Sequence, residues 1–230
     1  MAGDALNRRT LLAALASLAA APAFAEDNPP SPIAHGVLAN NAIARTFTTA
    51  PEDLPSIRLD TPDGTMQIAD ILKGRTVLMP VWAEWCLPCL IEIPDFARLQ
   101  EVYGKDKFAI LPVLSGPRKQ MRPAAIAALF QALHASNFTP MVEHDFGDSL
   151  LKTMGRKDNS YMVPCNVLIG PSGKVVAREI GLDSNGAKVD GDPNDKYSRA
   201  EQAASGNTQS LWGTNAGDEF AVAMANGFLT

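Results

Sequence analysis

Trp82-Ala83-Glu84-Trp85-Cys86-Leu87-Pro88-Cys89 constrains this chain more than any other stretch. An almost wholly apolar run, Thr76-Val77-Leu78-Met79-Pro80-Val81, leads into it. A longer segment with apolar residues at roughly helical spacing, Leu90, Ile93, Ala97 and Leu99, leads out. A short continuous apolar run reads as a buried strand, so the two cysteines fall where a strand turns into a helix. A Cys pair spaced by two residues at such a turn reads as a working dithiol. The unpaired amides and dipole of a helix N-terminus favour an anion, which favours the Cys86 thiolate. Cys89 sits one turn further in and is more shielded. Cys86 is therefore read as the attacking thiol and Cys89 as the resolving one. Pro88, between them, removes an amide and stiffens the turn.

Other uses of the pair are weaker. A structural metal site needs two further ligands at metal spacing. Cys165, His35, His134 and His144 are scattered and form no matching knuckle, so no metal or cofactor is expected. An exported dithiol can bind Cu(I), which leaves a copper chaperone using the same cysteines as the alternative function. A peroxidase would need Thr or Ser upstream of its cysteine and an activating Arg, and Glu84-Trp85-Cys86 does not supply them. Twenty basic against 25 acidic residues, a net charge of -5, argue against nucleic-acid binding. Three cysteines in 230 residues are too few for a disulfide-stapled scaffold.

The remaining chain divides into three parts. Residues 1–25 read as a cleavable export signal: Arg8-Arg9, an Ala/Leu run too short to span a bilayer comfortably, then Ala23-Phe24-Ala25. Asn7 to Leu12 resembles a twin-arginine signal. Residues 26–53 form a Pro-rich extension without sustained periodicity. Residues 54–230 form the globular domain. Strands are expected at Ile57–Leu59, Thr76–Trp82, Phe108–Leu114, Met141-Val142, Cys165–Ile169 and Lys174–Ile180. Helices are expected at Ile68–Leu72, Leu87–Tyr103, Pro123 to about Asn137, Ser149–Met154 and Asn215–Phe228. Residues 183–210 read as a long polar surface loop. Alternating strands and helices that end in a hairpin imply an α/β sandwich around a mixed sheet.

The Trp82–Cys89 stretch resembles the thioredoxin strand-turn-helix. Leu54 to Ile180 resembles the exported TlpA/ResA-like branch of thioredoxin-like thiol-disulfide oxidoreductases. Asp63-Gly64, Lys73-Gly74, Trp85 to Cys89, Glu92 and Pro94 follow that branch's pattern. Val163-Pro164 before a strand and a Gly170-Pro171-Ser172-Gly173 hairpin resembles the family's cis-proline loop. The resemblance implies a thioredoxin-like three-layer sandwich, periplasmic location, disulfide-containing protein substrates and a membrane thiol donor that keeps a monomeric protein reduced. It also implies that Val163 and Pro164 meet substrate beside the dithiol, with Trp85 and Pro88 flanking it. Thioredoxin carries a buried acid where Pro80 stands here, and the usual proton acceptor is missing. Glu92 is the candidate for tuning thiol protonation or contacting substrate; the competing reading is a solvated helix-face glutamate. Glu84 is expected at the surface. Cys165, after Pro164, is either a small buried strand residue or a third thiol near the dithiol.

Overall fold

A computed structural model of the chain describes residues 31–72, 74–116, 121–144, 150, 163–180 and 210–229. The signal-like residues 1–25 lie outside the described residues. So do the helix expected at 149–154, apart from Leu150, and the loop expected at 183–210, apart from Ser210.

In chain order the described elements are β1 (Thr48–Asp53), β2 (Arg58–Thr61), β3 (Gly64–Gln67), α1 (Ile68–Leu72), β4 (Thr76–Trp82), α2 (Leu87–Tyr103), β5 (Phe108–Ile110), β6 (Val113–Leu114), α3 (Pro123–Ala132), β7 (Val142–Glu143), β8 (Cys165–Ile169), β9 (Lys174–Ile180) and α4 (Asn215–Ala225). The strands make one mixed sheet in the order β1-β9-β8-β4-β6-β7-β2-β3, with β5 also paired to β4. β4 is fully buried, antiparallel to β8 and parallel to β5 and β6. This is the thioredoxin-like α/β sandwich.

Alternation along β4 separates two cores. Leu78 and Trp82 face a cluster with Phe96 and Ile93 of α2, Phe130 of α3, and Phe220 and Met224 of α4. Val77, Met79 and Val81 face the second cluster, with Val167, Ile169 and Val113. Both dithiol cysteines belong to the first. Each large side chain buried in this way contributes about 2 kcal/mol.

The strand expected over Phe108–Leu114 is split by Leu111-Pro112. The reason lies in β4. The Leu78 and Trp82 carbonyls accept from the amides of Leu111 and Ser115 on that side. Pro80 lies between them on the same edge and has no amide to donate. Pairing with β4 accordingly covers 76–78 and then 81–82. The irregularity expected from Pro80 thus falls in the neighbouring strands, while the β4–β8 register runs through Pro80 and Asn166 unbroken.

Two helix ends differ from expectation. Gly104 ends α2 at φ -69, outside the left-handed region. A Cβ there would meet the Gln100 carbonyl and side-chain amide, so close approach demands the glycine. α3 ends earlier than Asn137, where the chain turns through His134 at φ 54. The Asn137 amide instead donates to the Ala97 carbonyl of α2 at 2.8 Å.

The segment before Leu54 packs closely. Ile33, Leu38, Ile43, Ala44 and Phe47 are buried in the first cluster. Phe47 stacks on Phe220 at 5.7 Å, and Asn41 donates to the Ala216 carbonyl at 2.9 Å. β1 then pairs antiparallel with β9 at the sheet edge. Two 3-10 turns, Gly36–Leu38 and Ala44–Thr46, bring these residues inward, which is why no single period marks them.

Candidate active site

β4, a central strand, ends at Trp82, and Ala83-Glu84-Trp85 turns the chain into α2. The Cys86 amide donates to the Ala83 carbonyl at 3.0 Å, closing this turn. Cys86 is the N-cap of α2, in extended backbone, and its Sγ accepts the Cys89 amide at 3.3 Å. A sulfur at this position receives the first free amides of the helix. Cys86 and Cys89 are joined as a disulfide, with Cα atoms 5.3 Å apart. Both are buried. Pro88 occupies the first turn of α2, where its missing amide costs nothing.

Trp85 is 38% exposed beside this pair, and its indole N–H donates to the Gly116 carbonyl at 3.1 Å. The Val163–Pro164 peptide bond is cis. Val163 packs against the cluster that contains both cysteines, and Pro164 is buried. Glu84 is half-buried, not at the surface.

Glu92 lies three residues after Cys89, on the same face of α2. Only 5% of it is exposed, which overturns the solvated alternative. Burial pushes its carboxyl well above the usual carboxylate range, with further pushes from the negative charges of Glu179 and Asp95. Cys165 starts β8 opposite Val81 and belongs to the second cluster, across the sheet from the dithiol. Of the two readings of Cys165, the fold bears out the small buried strand residue and not the third thiol beside the pair. Burial, and then the charge of Glu179, push its thiol up to about 12.

Sequence reasoning passed over Glu179. It lies on β9 opposite Asn166, which in turn lies opposite Pro80. It is 6% exposed, and burial pushes its carboxyl up to about 7. A signal was present. In Lys174–Ile180, Glu179 shares a face with Ala177, which points into the first cluster.

A buried helix-capping dithiol on a mixed sheet, with a cis-proline strand start, defines a thioredoxin-like redox domain. The Redoxin family profile matches residues 49–192, and the chain belongs to that family. YneN, a thioredoxin-like protein of Bacillus subtilis (strain 168), is 37% identical over 62 residues, covering 27% of this chain and 36% of that protein. ResA, a thiol-disulfide oxidoreductase of Oceanobacillus iheyensis, is 35% identical over 69 residues, covering 30% of this chain and 34% of that protein. The chain thus spans about a third of the length of these two curated relatives. The solved structure of Etrx1, an exposed lipoprotein thioredoxin of Streptococcus pneumoniae strain TIGR4, is 28% identical with a TM-score of 0.44, covering 56% of this chain and 90% of that one.

Proposed function

We propose that this protein is an exported thiol-disulfide oxidoreductase that reduces protein disulfides. The observation that carries this reading is the position of Cys86, capping α2 and bonded to Cys89. In the reduced protein the helix N-terminus stabilises the Cys86 thiolate. That thiolate attacks one sulfur of a substrate disulfide. The substrate S–S bond breaks, a Cys86–substrate disulfide forms, and the other substrate sulfur leaves as a thiolate. Cys89 then gives up its proton and attacks Cys86 Sγ. The Cys86–Cys89 bond forms and the second substrate sulfur departs. Two electrons pass to the substrate, and an external dithiol at the membrane restores the reduced pair.

Glu92, buried one turn after Cys89, is the acceptor for the Cys89 proton in this scheme. Val163 offers its backbone to an extended substrate segment as an added strand, with Pro164, Trp85 and Pro88 around the sulfur. Residues 1–25 act as the export signal and are removed, leaving 26–53 and the domain from Leu54 in the periplasm as a monomer. Among the described residues no helix is long and apolar enough to cross a membrane.

The test of the activity is insulin-disulfide reduction. Cys86→Ser should abolish it; full activity in that variant contradicts the proposal.

A further inference from the structure

β4, β6 and β7 run parallel, so their C-terminal ends lie together at the end of the sheet where Trp82 leads on to Trp85 and Cys86. Sites in open α/β sheets form at that end of the strands. Ser115, directly after β6, and Glu143, the last residue of β7, both lie there, and both are buried. Leu114 and Val142 face the first core, whereas Val113 and Met141 face the second. Alternation therefore turns Ser115 and Glu143 to the second face, across the sheet from the dithiol.

The Ser115 hydroxyl donates to Glu143 Oε2 at 2.6 Å, and the Leu150 amide donates to Oε1 at 3.0 Å. Both oxygens of this buried carboxyl thus meet a donor, as burial demands. The Ser115 amide donates to the Trp82 carbonyl at 2.9 Å. Ser115 is therefore held twice, by its backbone to the end of β4 and by its side chain to the end of β7. The next residue, Gly116, turns the chain at φ 60, a left-handed conformation that glycine adopts at no steric cost. Its carbonyl accepts the Trp85 indole N–H at 3.1 Å. Glu143, Ser115, Gly116 and Trp85 form one run of contacts from the second core to the exposed indole.

We propose that Glu143, acting through Ser115, is a positioning residue that holds the Gly116 carbonyl where it fixes the Trp85 indole for a protein substrate. This rests on the dithiol reading above. An aromatic side chain already fixed in place loses less freedom when a partner docks on it, so preorganisation strengthens binding. The Glu143 carboxyl lies across the sheet from the sulfurs and works through backbone and indole alone. It therefore serves recognition of the protein around the disulfide and leaves the sulfur exchange itself unaltered. A small disulfide that does not reach Trp85 gains nothing from it.

The experiment uses the full-length protein, with insulin as the protein disulfide and the aromatic disulfide reagent DTNB as the small one. Ser115→Ala removes the hydroxyl donor. Glu143→Gln keeps the shape but sets an NH2 group, which cannot accept, against one of the two donors. Each variant should lower kcat/KM for insulin about fivefold, a typical coupling within one hydrogen-bond network, through KM and with kcat unchanged. The first aryl thiolate from reduced protein and DTNB, which reports attack by Cys86, should appear at the wild-type rate. In a Trp85→Ala background neither substitution should lower kcat/KM for insulin further. Trp82 and Trp212 are buried, so acrylamide quenching of tryptophan fluorescence reports Trp85 and should rise in both variants. An unchanged kcat/KM for insulin, an equal loss with DTNB, or the same fivefold loss without the Trp85 indole overturns the proposal. Unchanged quenching overturns it as well, whatever the activity. A wild type that releases no aryl thiolate from DTNB overturns the dithiol reading instead.

Discussion

Cys165 and Cys89 are buried on opposite faces of one sheet. Cys89 packs with Ile93 and Phe96, whereas Cys165 packs with Val81 and Val167. The three sulfurs therefore divide into a working pair and an isolated thiol. A thiol held up near 12 by burial supplies almost no thiolate near neutrality. Alkylation of the reduced native protein should label Cys86 first, with Cys165 reacting only in denaturant. Cys165→Ala should keep full disulfide reductase activity. Rapid native labelling of Cys165 contradicts this arrangement.

Glu179 also sets a pH dependence of stability. Its carboxyl rises from an ordinary 4.5 to about 7 in the folded protein. Below 4.5 both folded and unfolded chains hold the proton. As pH rises through this window the unfolded chain ionises first, so stability is lost until the folded carboxyl also ionises near 7. At about 1.4 kcal/mol per unit the loss is about 3 kcal/mol. Glu92 acts in the same direction. Asp60 and Asp218, held below the usual range by hydrogen bonds from Thr65 and Arg98, act oppositely and only in more acid solution. Denaturant midpoints should fall across the window in the wild type and much less in Glu179→Gln. Equal slopes would contradict the assignment.

Trp85 presents an exposed indole face beside Cys86, anchored by its bond to Gly116. An exposed tryptophan at a binding surface is a frequent energetic anchor. Trp85→Ala should lower kcat/KM for a protein disulfide about tenfold, roughly 1.4 kcal/mol, while DTNB still reacts at the wild-type rate. Equal losses with both reagents would show that Trp85 supports the dithiol itself.

Much of the fold was legible because key elements carry one uninterrupted signal. The seven buried residues of β4 and the Leu87–Tyr103 helix fall within the bounds their sequences suggest. The dithiol was legible because its chemistry is local in sequence. What escaped depends on partners distant in the chain. β3 is wholly exposed, so no apolar alternation marks Gly64–Gln67. The break between β5 and β6 follows from Pro80 in a neighbouring strand. Glu179 is an acid at an inward strand position, and its burial emerges only when α2 covers that face of the sheet.

Trapping measures the central claim most directly. In a Cys89→Ser variant the resolving sulfur is gone, so the first exchange product cannot collapse. Incubated reduced with a disulfide-containing protein, this variant should accumulate a mixed disulfide that peptide mass spectrometry maps to Cys86. Linkage through Cys165, or no adduct at all, would contradict the account.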